Sequence, residues 1–244
     1  MDTSVLTAAL ILGFLLGLKH ATDADHVVAV STIVSEYRNA WRGLWVGVSW
    51  GLGHTTPLII TGVAILLLKE PAAQFYEGYA HVLEFAVGIM LVFLGLQAFW
   101  NLRRRRIHVH EHEHEESSHA HLHTHELLTP PASHHGFFQP GKPFFRLKSY
   151  VIGFVHGLAG SAAVMLVVLT TDAVSSFIVG LLCIIAFGLG TILSMGIITL
   201  VMGIPFSVSG RFERVNQSVA AIAGTASISF GLFLVYQLAT VKTV

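Results

Sequence analysis

Apolar and polar positions do not alternate along this chain; they come in blocks. Nearly continuous apolar runs cover residues 4–18, 43–68, 82–100, 151–169, 177–203 and 219–239, with short polar stretches between most of them and one long polar stretch in the middle. Strands that cross a membrane alternate in polarity, and these runs do not. Each run, alone or with its flanks, reaches the roughly 20 helical residues that cross a hydrocarbon core about 30 Å thick. The pattern predicts six transmembrane helices, over 4–34, 43–68, 79–100, 150–171, 175–203 and 216–240.

Composition agrees with this reading. The chain of 244 residues is 53% hydrophobic and 11% charged, with a mean hydropathy of +0.68, whereas a soluble domain carries about 25% charged residues. The expected fold is therefore an all-α polytopic membrane protein. A formal net charge of zero leaves no electrostatic footprint for nucleic acid. Cys183 is the single cysteine, so neither a disulfide framework nor a thiolate metal site can be built. The N-terminal "MDTSV" lacks a basic region, so a cleavable signal peptide is not expected.

Lys and Arg test the span count. With six spans, the first, third and fifth loops hold eleven of them, Arg38, Arg42, Arg103–Arg106, Lys142, Arg146, Lys148, Arg211 and Arg214, against Lys69 and Lys242 on the opposite side. By the positive-inside rule this bias predicts a multi-pass cell-membrane protein with both termini outside the cytoplasm and the long central loop inside it.

The halves resemble each other. "GLKHATDADHVVAV" from Gly17 aligns with "GFVHGLAGSAAVML" from Gly153, "GLGHTTPLIIT" from Gly51 with "GLGTILSMGIIT" from Gly188 when one gap is allowed, and "GIMLVFLGLQ" from Gly88 with "GTASISFGLF" from Gly224, at starting offsets of 136, 137 and 136 residues. The expected organisation is a first three-helix repeat (1–100), a His-rich cytoplasmic linker (101–149), largely disordered, and a second three-helix repeat (150–244). Three spans per repeat is an odd number, so the second repeat would lie inverted, as in many transporters with a site near the midplane.

One polar cluster sits inside an apolar setting. "HATDADH", residues 20–26, places His20, Asp23, Asp25 and His26 in the first predicted span. A charge there costs at least ~2.5–3.5 kcal/mol on insertion scales, and such residues mark functional pathways. A divalent cation offsets that cost, because imidazole and carboxylate are suitable ligands and imidazole suits Ni, Cu, Zn and Fe. On a regular helix, with about 100° per residue, His20, Asp23 and His26 share one arc and Asp25 points away from His20. Two readings follow: either Asp25 orients a ligand, or the helix is broken here and the motif wraps the ion. The bland alternative is a buried polar cluster held by its own hydrogen bonds.

The pattern His, four residues, Asp-His, with its flanking "GLK" and "VVAV", resembles the signature of the nickel/cobalt transporter family. "GFVHGLAGSAAVMLVVL" is similar to the shorter branch of urease-accessory membrane proteins. The resemblance implies that His20, Asp25 and His26 are needed for metal transport. Other members carry an acidic, threonine-containing motif in a later span, where this chain has His156 and Ser161. His156 is the repeat mate of His20, and His54 in "GLGHTTP", near Pro57, is similar to a family histidine motif in the second span. The candidate metal ligands are therefore His20, Asp23, Asp25, His26, His54 and His156. His81 with Glu84 reads as an interfacial polar pair, Thr55, Thr56 and Ser161 as helix-to-helix hydrogen bonding or path lining, and Gly13/Gly17 and Gly153/Gly157 as close helix packing.

The central stretch holds ten of the fifteen histidines: His108, His110, His112, His114, His119, His121, His123, His125, His134 and His135. A linker needs no histidines, and His-rich tracts bind Ni, Zn, Cu or Co, so this is an expected accessory metal-binding loop. Together these features predict a permease for nickel(II), or cobalt(II), as the transported substrate, with uptake preferred over efflux. No organic cofactor is expected, and cytoplasmic metallochaperones are candidate partners beside the ion and the bilayer. No Walker A pattern is present, so the chain does not use ATP by itself. Ligands must be unprotonated to bind metal, so affinity should fall with acid. A membrane metalloenzyme would need a substrate pocket that nothing in the sequence indicates, so the protein is not expected to be an enzyme. A metal sensor would rest on the loop alone.

Overall fold

The computed structural model describes residues 3–35, 40–68, 70–105, 108–114, 117–123, 145–170, 176–208 and 213–241, with the two strands and residues 5, 70, 72–74, 77, 105, 160–170, 206–208, 213 and 241 described by backbone alone. Among the described residues, seven helices carry the apolar runs: α1 (Thr3–His20), α2 (Ala24–Val34), α3 (Ala40–Leu68), α4 (Glu70–Arg105), α5 (Leu147–Thr170), α6 (Phe177–Val208) and α7 (Glu213–Val241). Between α4 and α5, β1 (His108–His114) pairs antiparallel with β2 (Ser117–His123). The sequence led us to expect this linker to be largely disordered. The ribbon sets His108 opposite His123, His110 opposite His121 and His112 opposite His119. His125, His134 and His135 lie outside the described residues.

Among the described residues, four helices are each long and apolar enough to cross a membrane: Ala40–Leu68, Gly78–Arg104, Phe177–Pro205 and Arg214–Thr240. The segments Leu6–His20 and Ala24–Val34 pass the same test together but are bent by 58°. The first expected span is thus a bent pair, not one straight helix. The fourth falls on α5, which is helical for 24 residues. Helix α4 begins nine residues before the expected boundary at 79, because Pro71 stands in its first turn, where a missing N–H breaks no helical bond. Large apolar side chains such as Leu12, Leu15, Leu67, Phe93, Leu96 and Val201 face outward along these helices. In water that surface would be a severe liability; against lipid it is the expected one. The protein is a multi-pass helical membrane protein.

Helix α1 packs on α6, α5 on α3, α3 on α6, and α4 on α7. Glycines allow these backbones to touch. A Cβ at Gly17 would land on the Phe187 carbonyl, and one at Gly153 on Trp50. A Cβ at Gly95 would stand 2.6 Å from the Gly224 carbonyl oxygen, and one at Gly231 2.6 Å from that of Gly88. The offsets of 136 and 137 residues exchange these contacts: Gly17–Phe187 maps onto Gly153–Trp50, and Gly88–Gly231 onto Gly224–Gly95. The hydroxyl of Ser227 donates to the Leu91 carbonyl at 2.7 Å, joining two residues that are themselves mates at that offset.

Candidate metal centre

The site begins with the failure of a helix. After His20 the chain makes two tight turns, Thr22 N–H to the Lys19 carbonyl at 2.9 Å and Asp23 N–H to the His20 carbonyl at 3.0 Å. The Thr22 hydroxyl also donates to the Lys19 carbonyl, at 2.6 Å. Thr and Asp favour such local bonds over helix continuation. Asp23 then adopts an extended conformation (φ −62°, ψ 147°) at the N-cap of α2, yet its side chain makes no capping bond. Its carboxylate instead accepts from His20 Nδ1 at 2.9 Å.

That contact fixes the tautomer of His20. A carboxylate only accepts, so Nδ1 carries the proton and Nε2 presents a lone pair. His20 Nε2 lies 3.0 Å from His54 Nε2. His54 comes from α3, which continues past Pro57 as an unbroken helix to Leu68. His26, restarting the chain in α2, donates from Nδ1 to Asp25 Oδ1 at 2.9 Å, while its Nε2 is buried with no hydrogen-bond partner among the described residues. His20, His26 and His54 are all buried, and each offers a ring nitrogen within 4.8 Å of the other two. Two nitrogens bound at right angles, about 2.1 Å from one ion, stand about 3.0 Å apart. The His20–His54 separation equals that edge. The cluster is thus a three-imidazole pocket, suited to Ni, Cu, Zn or Co.

Asp25 works on two sides. Besides His26 it accepts from His156 Nε2 at 2.7 Å, so its two oxygens hold two rings. His156 reaches the cluster because Gly157 lets α5 lie directly on the His54 backbone. Asp25, His26 and His156 form a second set of possible ligand atoms within 4.8 Å. By accepting from both rings, Asp25 leaves the lone pairs on His26 Nε2 and His156 Nδ1, and both atoms are buried without a hydrogen-bond partner among the described residues. Carboxylates that accept the second ring N–H of a histidine ligand in this way fix its orientation and raise its basicity. The helix is broken within the motif, and Asp25 accepts from both rings.

Sequence reasoning did not single out Trp50. It is fully buried, stacks on His26 with ring centroids 6.0 Å apart and an interplanar angle of 17°, and lies 5.6 Å from His156. Its position four residues before His54, on the same helix face, was the available signal. The other polar candidates stay outside the cluster. His81 Nδ1 stands 3.9 Å from Glu84, and both side chains are exposed. Thr55 donates weakly to the Gly188 carbonyl at 3.5 Å, and the Thr56 hydroxyl meets Tyr150 Oη at 3.1 Å, both between helices. The Ser161 side chain is not among those described.

Buried imidazoles that could hold a transition-metal ion converge on the break in a bent helix pair, within a multi-pass helical membrane protein. Residues 6–204 match the profile of the NicO family, high-affinity nickel-transport protein, and the chain belongs to that family. It is 41% identical over 238 residues to the urease accessory protein UreH of Bacillus sp. (strain TB-90), covering 98% of this chain and 95% of that one. It is 28% identical over 189 residues to the high-affinity nickel-transport protein NixA of Helicobacter pylori (strain 26695), covering 72% of this chain and 56% of that one. It is also 25% identical over 229 residues to the chloroplast protein FOR GROWTH AND FERTILITY 1 of Arabidopsis thaliana, covering 91% and 57%. No solved structure matches the chain at a significant level.

Proposed function

We propose that this protein is a permease that takes up nickel(II), or cobalt(II), across the cell membrane, with His20, His26 and His54 binding the ion as it passes. The observation that carries this reading is the convergence of three buried imidazoles at a break in a membrane helix, two of them, His20 and His26, oriented by carboxylates. Membership of a nickel-transport family supports the choice of substrate. Asp23 and Asp25 act by holding His20, His26 and His156 in one tautomer, and His156 lies beside the trio through Asp25.

Two inverted three-helix repeats, 1–100 and 150–244, would move against each other around the site, a reading supported by the contacts that exchange under the repeat offset. The distribution of Lys and Arg supports placing both termini outside the cytoplasm and the His-rich loop inside it. There the loop would receive the ion and pass it to metallochaperones, consistent with similarity to a protein called a urease accessory protein.

The test is accumulation of radioactive nickel in cells expressing the chain, beside a His20→Ala/His26→Ala variant at matched membrane levels. Raised accumulation that needs both histidines is expected. Accumulation below that of empty cells would make the same site an exporter, and normal uptake by the double variant would remove the site from the pathway.

A further inference from the structure

The imidazole cluster lies between two apolar seals, and we infer that Trp50 with Met195, and Phe187 with Leu58, are the two gates through which the ion enters and leaves. The inference rests on the permease reading and adds the residues that close its path. Trp50 and Leu58 stand four residues to either side of His54 on α3, about 6 Å along the helix in opposite directions. Helix α6 runs antiparallel beside it: Gly47 faces Met195, Gly51 faces Ile192, and Gly188 faces Thr55. Phe187 is therefore level with the Leu58 side of His54, and Met195 with the Trp50 side. All four residues are buried. Trp50 and Met195 belong to one apolar cluster, and Leu58 and Phe187 to a separate one.

The ring contacts put the ligands between these clusters. Trp50 lies against His26 and His156. Phe187 lies against His20, with centroids 5.6 Å apart. The seals are also mates: an offset of 137 residues carries Trp50 to Phe187 and Leu58 to Met195, so each half of the chain gives one aromatic to one seal and one aliphatic to the other. Each aromatic residue packs against a glycine of the other half, Gly153 behind Trp50 and Gly17 behind Phe187. Relative movement of the α1–α6 and α3–α5 pairs would thus shift the seals directly.

Apolar constrictions stop ions by excluding the water that hydrates them. With both seals closed, an ion on the imidazoles is occluded, and a path opens only when one seal withdraws. The buried Trp50 indole N–H has no hydrogen-bond partner among the described residues. Withdrawal would expose it to water, which favours opening on that side. On the proposed orientation, Trp50 and Met195 close the cytoplasmic side and Phe187 and Leu58 the outer side.

The test uses cysteine labelling from each face. Cys183, the sole cysteine, is replaced by Ala, and fully buried Ala21, next to His20, by Cys. Right-side-out and inside-out vesicles are treated with a charged, membrane-impermeant methanethiosulfonate, and nickel binding is measured on the same material. The background should react slowly from both faces. Trp50→Leu should raise the rate at least tenfold from the cytoplasmic face alone, and Phe187→Leu at least tenfold from the outer face alone. Met195→Ala and Leu58→Ala probe the same seals where an aromatic variant does not fold. Rates that rise from neither face, or equally from both, in variants that bind nickel overturn the gates. Sided labelling in a background that binds no nickel upholds the gates and refutes the nickel site instead.

Discussion

Asp25→Asn is the most discriminating single change. The carboxylate accepts from two rings at once, His26 Nδ1 at 2.9 Å and His156 Nε2 at 2.7 Å. A carboxamide has one accepting oxygen, and its nitrogen only donates. One of the two rings must then change tautomer, which moves a proton onto the nitrogen that otherwise presents a lone pair. Loss of a group that orients a metal ligand reduces affinity about 10–100-fold, or roughly 1.4–2.8 kcal/mol. One charge-assisted bond is lost as well, so metal-free stability should fall by about 1–3 kcal/mol. Asp23→Asn should cost less, because Asp23 holds one ring and its side chain is 40% exposed, against 26% for Asp25. Calorimetric titration of nickel into the purified protein in detergent, with thermal unfolding of the metal-free forms, measures both effects. Nickel binding by Asp25→Asn within twofold of the unchanged protein would refute the tautomer argument. So would a larger loss from Asp23→Asn than from Asp25→Asn.

His54→Ala removes one of three convergent nitrogens and should weaken nickel binding at least about 100-fold, the upper end for groups that only orient ligands. His81→Ala should leave the same titration unchanged, since that side chain is exposed and away from the cluster. Gly153→Ala would drive a methyl group into Trp50 and should destabilise by about 1–3 kcal/mol, read as a lower melting temperature, whereas Gly78→Ala meets open space and should be tolerated. Deleting residues 108–135 should change the nickel concentration at which uptake saturates and leave uptake measurable; complete loss of uptake in a well-inserted protein would mean the loop is part of the path.

Much of this was legible without coordinates. Apolar runs that reach about 20 residues, alone or with their flanks, and do not alternate in polarity leave the backbone no solution in lipid except helices, so the helical membrane fold followed from hydropathy alone. The density of ionisable groups in "HATDADH" singled out the site, because burying them without a partner is too unfavourable to be incidental. What could not be read was how they divide the work. Helical geometry placed His20, Asp23 and His26 on one arc, but that holds only for an unbroken helix, and the turns at Thr22 and Asp23 void it. The pairing of Asp25 with His156, 131 residues away, depends on α5 lying on α3 at Gly157, and no local pattern encodes it. Trp50 was one more apolar residue until its ring was found stacked on His26. Sequence by itself determined which chemistry is present and which solvent surrounds it, since hydropathy and side-chain type are properties of single residues. Tertiary structure alone decided which nitrogens keep free lone pairs and what closes over them, since those depend on which side chains meet across helices.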